Sequence, residues 1–253
     1  MRVIRSFVIA FATYSRIPMP QVEWSEENRK YAMCFFPLIG AVVGGALWLW
    51  LLLCDRLALG PLLRGAGGAA IPLLITGGIH MDGFMDTTDA LASWQPKERR
   101  LEILKDSHIG AFAAMGCWVY LTLEAALLSE IGGKSGAAVG LCFVLSRALS
   151  AWALAAFRSA RPEGMLDSFA RAARRRLVTF GSAVYAVLCV AGWALLGGWQ
   201  ALICAAAAAG TTLYYRHMAY KQFGGVTGDL AGWFSQMTEL VLLAAVVMGG
   251  KLL

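Results

Sequence analysis

GGIHMDGFMDTTDA, residues 77–90, sets His80, Asp82, Asp86 and Asp89 inside a ten-residue window. In a helix, Asp82 to Asp86 is an i,i+4 step and Asp86 to Asp89 an i,i+3 step, so the three carboxylates share one face. Like charges at that spacing repel, and a helix built only for stability avoids them. A divalent cation removes the repulsion, and hard oxygen ligands suit Mg²⁺ or Mn²⁺. The pattern therefore favours Asp82, Asp86 and Asp89 as metal ligands over a solvated acidic face or a helix start that merely welcomes carboxylates.

The surroundings strengthen this expectation. Of 253 residues, 58% are hydrophobic and only 15% charged, and the mean hydropathy is +0.62. A soluble domain carries about 25% charged residues. Residues 31–54 run for 24 positions without a charge, long enough to cross a bilayer. The composition thus predicts an integral membrane protein, in which carboxylates are costly and usually functional. No cleavable signal is expected, because the apolar run after Arg2 and Arg5 is short and ends at TYSRIPMP. The six cysteines are scattered through apolar segments without a CxxC pair and read as small core residues.

Hydropathy predicts an all-α polytopic fold: a short interfacial helix at the N-terminus, then about seven spans near 31–54, 65–80, 109–129, 137–157, 178–196, 199–215 and 230–248. The second is short and interrupted by Pro72 and two glycine pairs, and such interruptions are tolerated where they line a cavity. With the N-terminus inside, 17 of the 22 Lys and Arg residues fall on the cytoplasmic side and four outside, with Arg147 within a span. The net charge of +6 is then a topology signal and not a sign of nucleic-acid binding. The acidic segment faces the cytoplasm, where nucleotides are, in the inner membrane of the cell. No repeat or linker divides the chain, so residues 1–253 are expected to form one domain.

A second acidic element, GGVTGDLAGWFSQMTE, occupies residues 224–239. Thr227 or Asp229 can cap the last span, leaving backbone N–H groups for a phosphate. Asp229, Gln236 and Glu239 fall on one helical face, and Gly232 makes room for a close neighbour. If both acidic elements serve one diphosphate–metal site, they must touch although about 140 residues separate them. Lys105, Asp106 and Ser107 open the third span. Arg147, inside its span, needs either Glu124 or a substrate phosphate as partner. Arg158 and Arg161 lie at the cytoplasmic mouth, with forks suited to phosphate oxygens. Carboxylates for metal and arginines for phosphate at one membrane cavity fit phosphoryl transfer. No P-loop, GxSxG or HExxH motif supports ATP, serine or zinc hydrolysis.

These residues resemble a known family. HMDGFMDTTDAL at 80–91 is similar to the HxDGxxDxxDxL signature of the cobalamin synthases, the adenosylcobinamide-GDP ribazoletransferases. TYSRIPMP, FFPLIGAVVGG at 35–45, LKDSHIGAFA at 104–113, SR at 146–147, ARPEGM at 160–165 and GGVTGDLAGWFSQMTEL at 224–240 follow in the family's order. The resemblance implies that α-ribazole, or its 5′-phosphate, attacks the cobinamide-side phosphorus of adenosylcobinamide-GDP and releases GMP. It implies catalytic roles for His80, Asp82, Asp86 and Asp89. Substrate contacts are implied at Arg16, Lys105, Asp106, Ser107, Arg147, Arg161, Thr227 and Gln236. A Mg²⁺ or Mn²⁺ site is implied at the three aspartates with Asp229 and Glu239. Expected partners are the two substrates and the bilayer, with self-association or association with other corrinoid-pathway enzymes. The alternatives are a CDP-alcohol phosphotransferase, whose DGxxAR signature is absent, and a cation or metabolite transporter, which would favour repeats and midplane sites.

Overall fold

The computed structural model describes residues 2–160 and 175–252. Among them there is no strand, and the nearest thing to one is a single parallel bridge between Ser159 and Val226. The helices are α1 (Arg2–Tyr14), α2 (Glu26–Arg29), α3 (Ala32–Arg56), α4 (Pro61–Thr76), α5 (Ile79–Ala92), α6 (Lys97–Ile103), α7 (Ala111–Ser129), α8 (Gly136–Ala156), α9 (Arg175–Gly197), α10 (Gln200–Phe223) and α11 (Gly228–Leu252). The all-α polytopic architecture is as the hydropathy predicts.

Five described helices are long and apolar enough to cross a membrane: α3, α7, α8, α9 and α11. The bent pair α4–α5 makes six if taken as one span. The expected span at 199–215 is part of the longer helix α10, whose second half carries Thr211, Thr212, Arg216, His217 and Lys221 and lowers its hydropathy. The expected span at 65–80 is α4 alone. It stops at Thr76, and α5 leaves at 99° to it.

That corner has a local cause. Gly77 and Gly78 both take left-handed backbone, with φ of 69° and 80°, a region that side chains with a Cβ avoid. The Thr76 hydroxyl donates to the Pro72 carbonyl at 2.7 Å and accepts from the Gly78 N–H at 3.3 Å, so the last turn of α4 is closed before the chain bends.

Helix α3 packs most closely on α8. A Cβ on Gly40 would collide with the Phe143 carbonyl oxygen, and one on Gly44 would fall 2.6 Å from the Gly140 Cα. Small residues let membrane helices approach this way when no hydrophobic driving force separates helix from lipid. Outward side chains such as Leu49, Trp118, Leu188 and Leu195 are exposed and apolar, the pattern a bilayer rewards. At one end of the bundle Arg64 pairs with Asp55 at 2.7 Å, Asp55 accepts the Gly133 N–H at 2.6 Å, and Lys251 meets Glu130 at 2.6 Å. The opposite end gathers α1, the start of α5 and the start of α11. Helix α1 is amphipathic and lays Phe7 and Tyr14 against Phe35 and Phe36 of α3.

Candidate active site

The two acidic elements meet. Helices α5 and α11 cross at two glycines, and neither position tolerates a side chain without movement. A Cβ on Gly83 would lie 2.7 Å from the Asp229 carbonyl oxygen, and one on Gly232 3.0 Å from the His80 carbonyl oxygen. The absent side chains let backbone touch backbone, which brings Asp229 to the acidic face of α5. Thr227 sits just before α11 and its hydroxyl accepts the Leu230 N–H at 3.3 Å. It is therefore the cap that the sequence predicts.

Asp82 is exposed, while Asp86, Asp89 and Asp229 are half-buried. The charged neighbours of Asp86 are Asp82, Asp229 and Asp89, so carboxylates from both acidic elements act on it. Their roles divide. Asp89 accepts the Gly110 N–H at 2.7 Å and the Ala113 N–H at 2.8 Å. It caps α7 through both of its oxygens. Capping also ties the end of the Lys105–Gly110 loop to the acidic helix.

Among the described residues no three His, Cys, Asp or Glu side chains are gathered closely enough to hold an ion by themselves. The donor set nonetheless fits a hard cation. Mg²⁺ is commonly bound through one or two carboxylates together with substrate phosphates, not by an all-protein cage.

Asp82 and Ile79 line two spaces. One is a cavity of about 250 Å³ that Asp229 also lines, walled by Tyr14, Phe36, His80, Ser150 and Leu154. The other is an open groove of about 600 Å³, lined also by Arg16, Gly77, Gly78 and Met85. Arg16 is held over the corner of the chain. Its N–H donates to the Ile75 carbonyl at 2.7 Å, and its side chain lies over Gly77, where a Cβ would come within 3.0 Å of it. His80 is 5% exposed, and its ring stacks with Phe36 at 5.4 Å and Tyr14 at 6.2 Å. Neither ring nitrogen has a hydrogen-bond partner among the described residues.

Other expected site residues lie deeper. Gln236 and Glu239 are about 10 and 15 Å further along α11 than Asp229 at 1.5 Å per residue. Both are buried. Arg147 is 1% exposed and pairs with Glu239, which also accepts from the Ser146 hydroxyl at 2.9 Å. Among the described residues the ion-pair partner of Arg147 is therefore Glu239 and not Glu124, and Glu239 is engaged there through one oxygen, Oε1. Gln236 receives the Tyr120 hydroxyl at 3.3 Å. These residues form a polar core that fastens α7, α8 and α11 beneath the aspartates.

In the α6–α7 loop, Lys105, Asp106 and Ser107 are exposed. Asp106 accepts the His108 N–H at 3.0 Å and lies 2.6 Å from its ring, contacts that hold the Asp106 carboxyl below its ordinary value. Arg158 gives its guanidinium to the Gly224 carbonyl at 2.8 Å and so positions the turn before α11. Arg161 lies outside the described residues.

The walls of the cavity are what residue-type reasoning misses, because Tyr14, Phe36 and Leu154 carry no catalytic signature. Signals existed: Tyr14 and Phe36 fall within TYSRIPMP and FFPLIGAVVGG, and Ser150 and Leu154 follow Arg147 at i+3 and i+7 on α8.

The chain is similar to known proteins over nearly its whole length. The family described as cobalamin-5-phosphate synthase matches residues 6–247. An adenosylcobinamide-GDP ribazoletransferase of Lachnoclostridium phytofermentans is 44% identical over 248 residues, covering 98% of this chain and 95% of the relative. Proteins with the same description from Desulfitobacterium hafniense and Ralstonia nicotianae are 35% and 36% identical, with at least 93% of each chain covered. No solved structure matches.

Proposed function

The chain belongs to the cobalamin-5-phosphate synthase family, and we propose that the crossing of α5 and α11 is where it completes the nucleotide loop of cobalamin. The reaction is a transfer from adenosylcobinamide-GDP to α-ribazole or its 5′-phosphate. A ribazole hydroxyl forms a bond to the cobinamide-side phosphorus, the bond from that phosphorus to the bridging oxygen breaks, and GMP leaves. The hydroxyl proton is released.

One observation carries the siting: the Gly83–Gly232 contact places Asp229 beside Asp82 and Asp86 although the two elements are far apart in sequence. Asp82, Asp86 and Asp229 would hold a Mg²⁺ or Mn²⁺ ion, which supplies charge neutralisation to the diphosphate. Arg16 and the first-turn N–H groups of α5 border the open groove and suit phosphate oxygens. Asp89 holds the Lys105–Gly110 loop against the site, and Thr227 fixes the start of α11. The site faces the cytoplasm in the inner membrane, as the distribution of basic residues indicates.

Purified protein with Mg²⁺ should release GMP from adenosylcobinamide-GDP only when α-ribazole is supplied. Release without acceptor would indicate a hydrolase, and counterflow without chemical change a transporter.

A further inference from the structure

The two spaces beside Asp82 differ in size and lining, and the difference assigns them. We propose that the smaller cavity is the acceptor subsite and takes the flat bicyclic base of α-ribazole, leaving the open groove to the corrinoid donor. This rests on the reaction proposed above and adds to it which substrate lies in which space.

Ligand cavities run from roughly 300 to 1,000 Å³, and this one, at about 250 Å³, is at the small end. A corrin macrocycle does not fit in it, whereas a single bicyclic heterocycle does. The walls suit such a base: Phe36 and Tyr14 offer aromatic surface, Leu154 and Ala231 aliphatic surface. Aromatic rings favour offset or edge contacts with one another and with flat ligands.

The independent sign of a ligand is His80. A buried polar group is nearly always hydrogen-bonded, and an orphan calls for an explanation. Both nitrogens of this ring are buried without a partner, and the residue lines the cavity. A benzimidazole riboside retains one bare ring nitrogen and a set of ribose hydroxyls. A neutral imidazole, with one N–H and one lone pair, can donate to the first or accept from the second.

Geometry then orients the nucleoside. Asp82 and Asp229 border the same cavity, and Gly228 and Gly232 leave its rim without side chains. A base seated against Phe36 and Leu154 puts its ribose at the carboxylates, where the hydroxyl must react. Donor phosphates arriving along the groove pass Arg16 and meet the acceptor at Asp82, which lines both spaces.

The test varies the acceptor base and the cavity together. GMP release is followed with ribosides of dimethylbenzimidazole and of unsubstituted benzimidazole, for wild type, Leu154→Phe, Leu154→Ala and His80→Ala. Filling the cavity in Leu154→Phe should raise the acceptor KM by about ten-fold for the dimethyl base and by less for the smaller one, the scale of a methyl group in an apolar pocket. Leu154→Ala should narrow the discrimination between the two bases. His80→Ala should raise the acceptor KM, with partial recovery in His80→Gln. The donor KM should stay unchanged throughout. A donor KM that moves while the acceptor KM does not would give the cavity to the corrinoid and overturn the assignment, as would kinetics unaffected by all three changes. Should a variant lose turnover, equilibrium binding of α-ribazole decides: retained affinity overturns the proposal and lost affinity supports it. Absence of acceptor-dependent GMP release in wild type would instead refute the proposed reaction.

Discussion

A Cβ on Gly83 would stand 2.7 Å from the carbonyl oxygen of Asp229, so the separation of the two acidic helices is set by a missing methyl group. Gly83→Ala should force them apart, at about 1–3 kcal/mol for overpacking. Turnover should fall by about a hundred-fold, the scale of a 1 Å misplacement. Gly45→Ala, where nothing lies within 4 Å, is the matched control. Melting in detergent and GMP release distinguish the two.

Asp86→Asn should reduce turnover by at least about a hundred-fold, as loss of an electrostatic centre does. Its melting temperature should hold or rise, because one charge is removed from among Asp82, Asp89 and Asp229. Glu98 is nearby in sequence but exposed on α6, and Glu98→Gln should change little. Activity within a few-fold of wild type in Asp86→Asn would remove this residue from the site.

Asp89 should behave differently. Because it caps α7 through two N–H groups, Asp89→Ala should cost about 0.5–2 kcal/mol of stability, seen as a lower melting temperature. Asp86→Asn shows no such loss. If Asp89→Ala melts like wild type, the cap contributes nothing.

Breaking the buried pair should be the most destabilising single change. Arg147→Met leaves Glu239 and Glu124 buried without their cation, at about 3–5 kcal/mol. Arg147→Met with Glu239→Met should recover most of that loss, since a buried pair replaced by apolar groups is often neutral. A double-mutant cycle on melting temperature reads the coupling.

Orientation can be checked with cysteines in a background lacking the six native ones. A cysteine at Ser93 should react with an impermeant thiol reagent only after the cytoplasmic face is opened, and one at Ser135 should react from outside. Labelling of Ser93 from outside would invert the topology.

Much of the site was legible in the chain itself. Helical spacing put the aspartates on one face, and the glycine at 232 signalled a close neighbour, which proved to be α5. What spacing cannot supply is the partner. Asp89 lies on the same face as Asp86, but one turn further on that face meets the start of α7, so its carboxylate caps that helix. Arg147 had two carboxylates to choose from, Glu124 on α7 and Glu239 on α11, and only the packed bundle decides. The corner at Gly77–Gly78 was visible as glycine and Pro72, yet residue types alone do not give the angle of 99° at which α5 leaves α4.

The crossing also fixes an order of events during synthesis. Gly83 leaves the ribosome about 150 residues before Gly232, which belongs to the last helix. Until α11 has been made, the acidic face of α5 lacks Asp229, its partner from the far end of the chain. Asp89 can already cap α7 by then, so the docking of α11 is the step that completes the site, and a chain stopped before residue 228 would be without Asp229 and without a reaction centre.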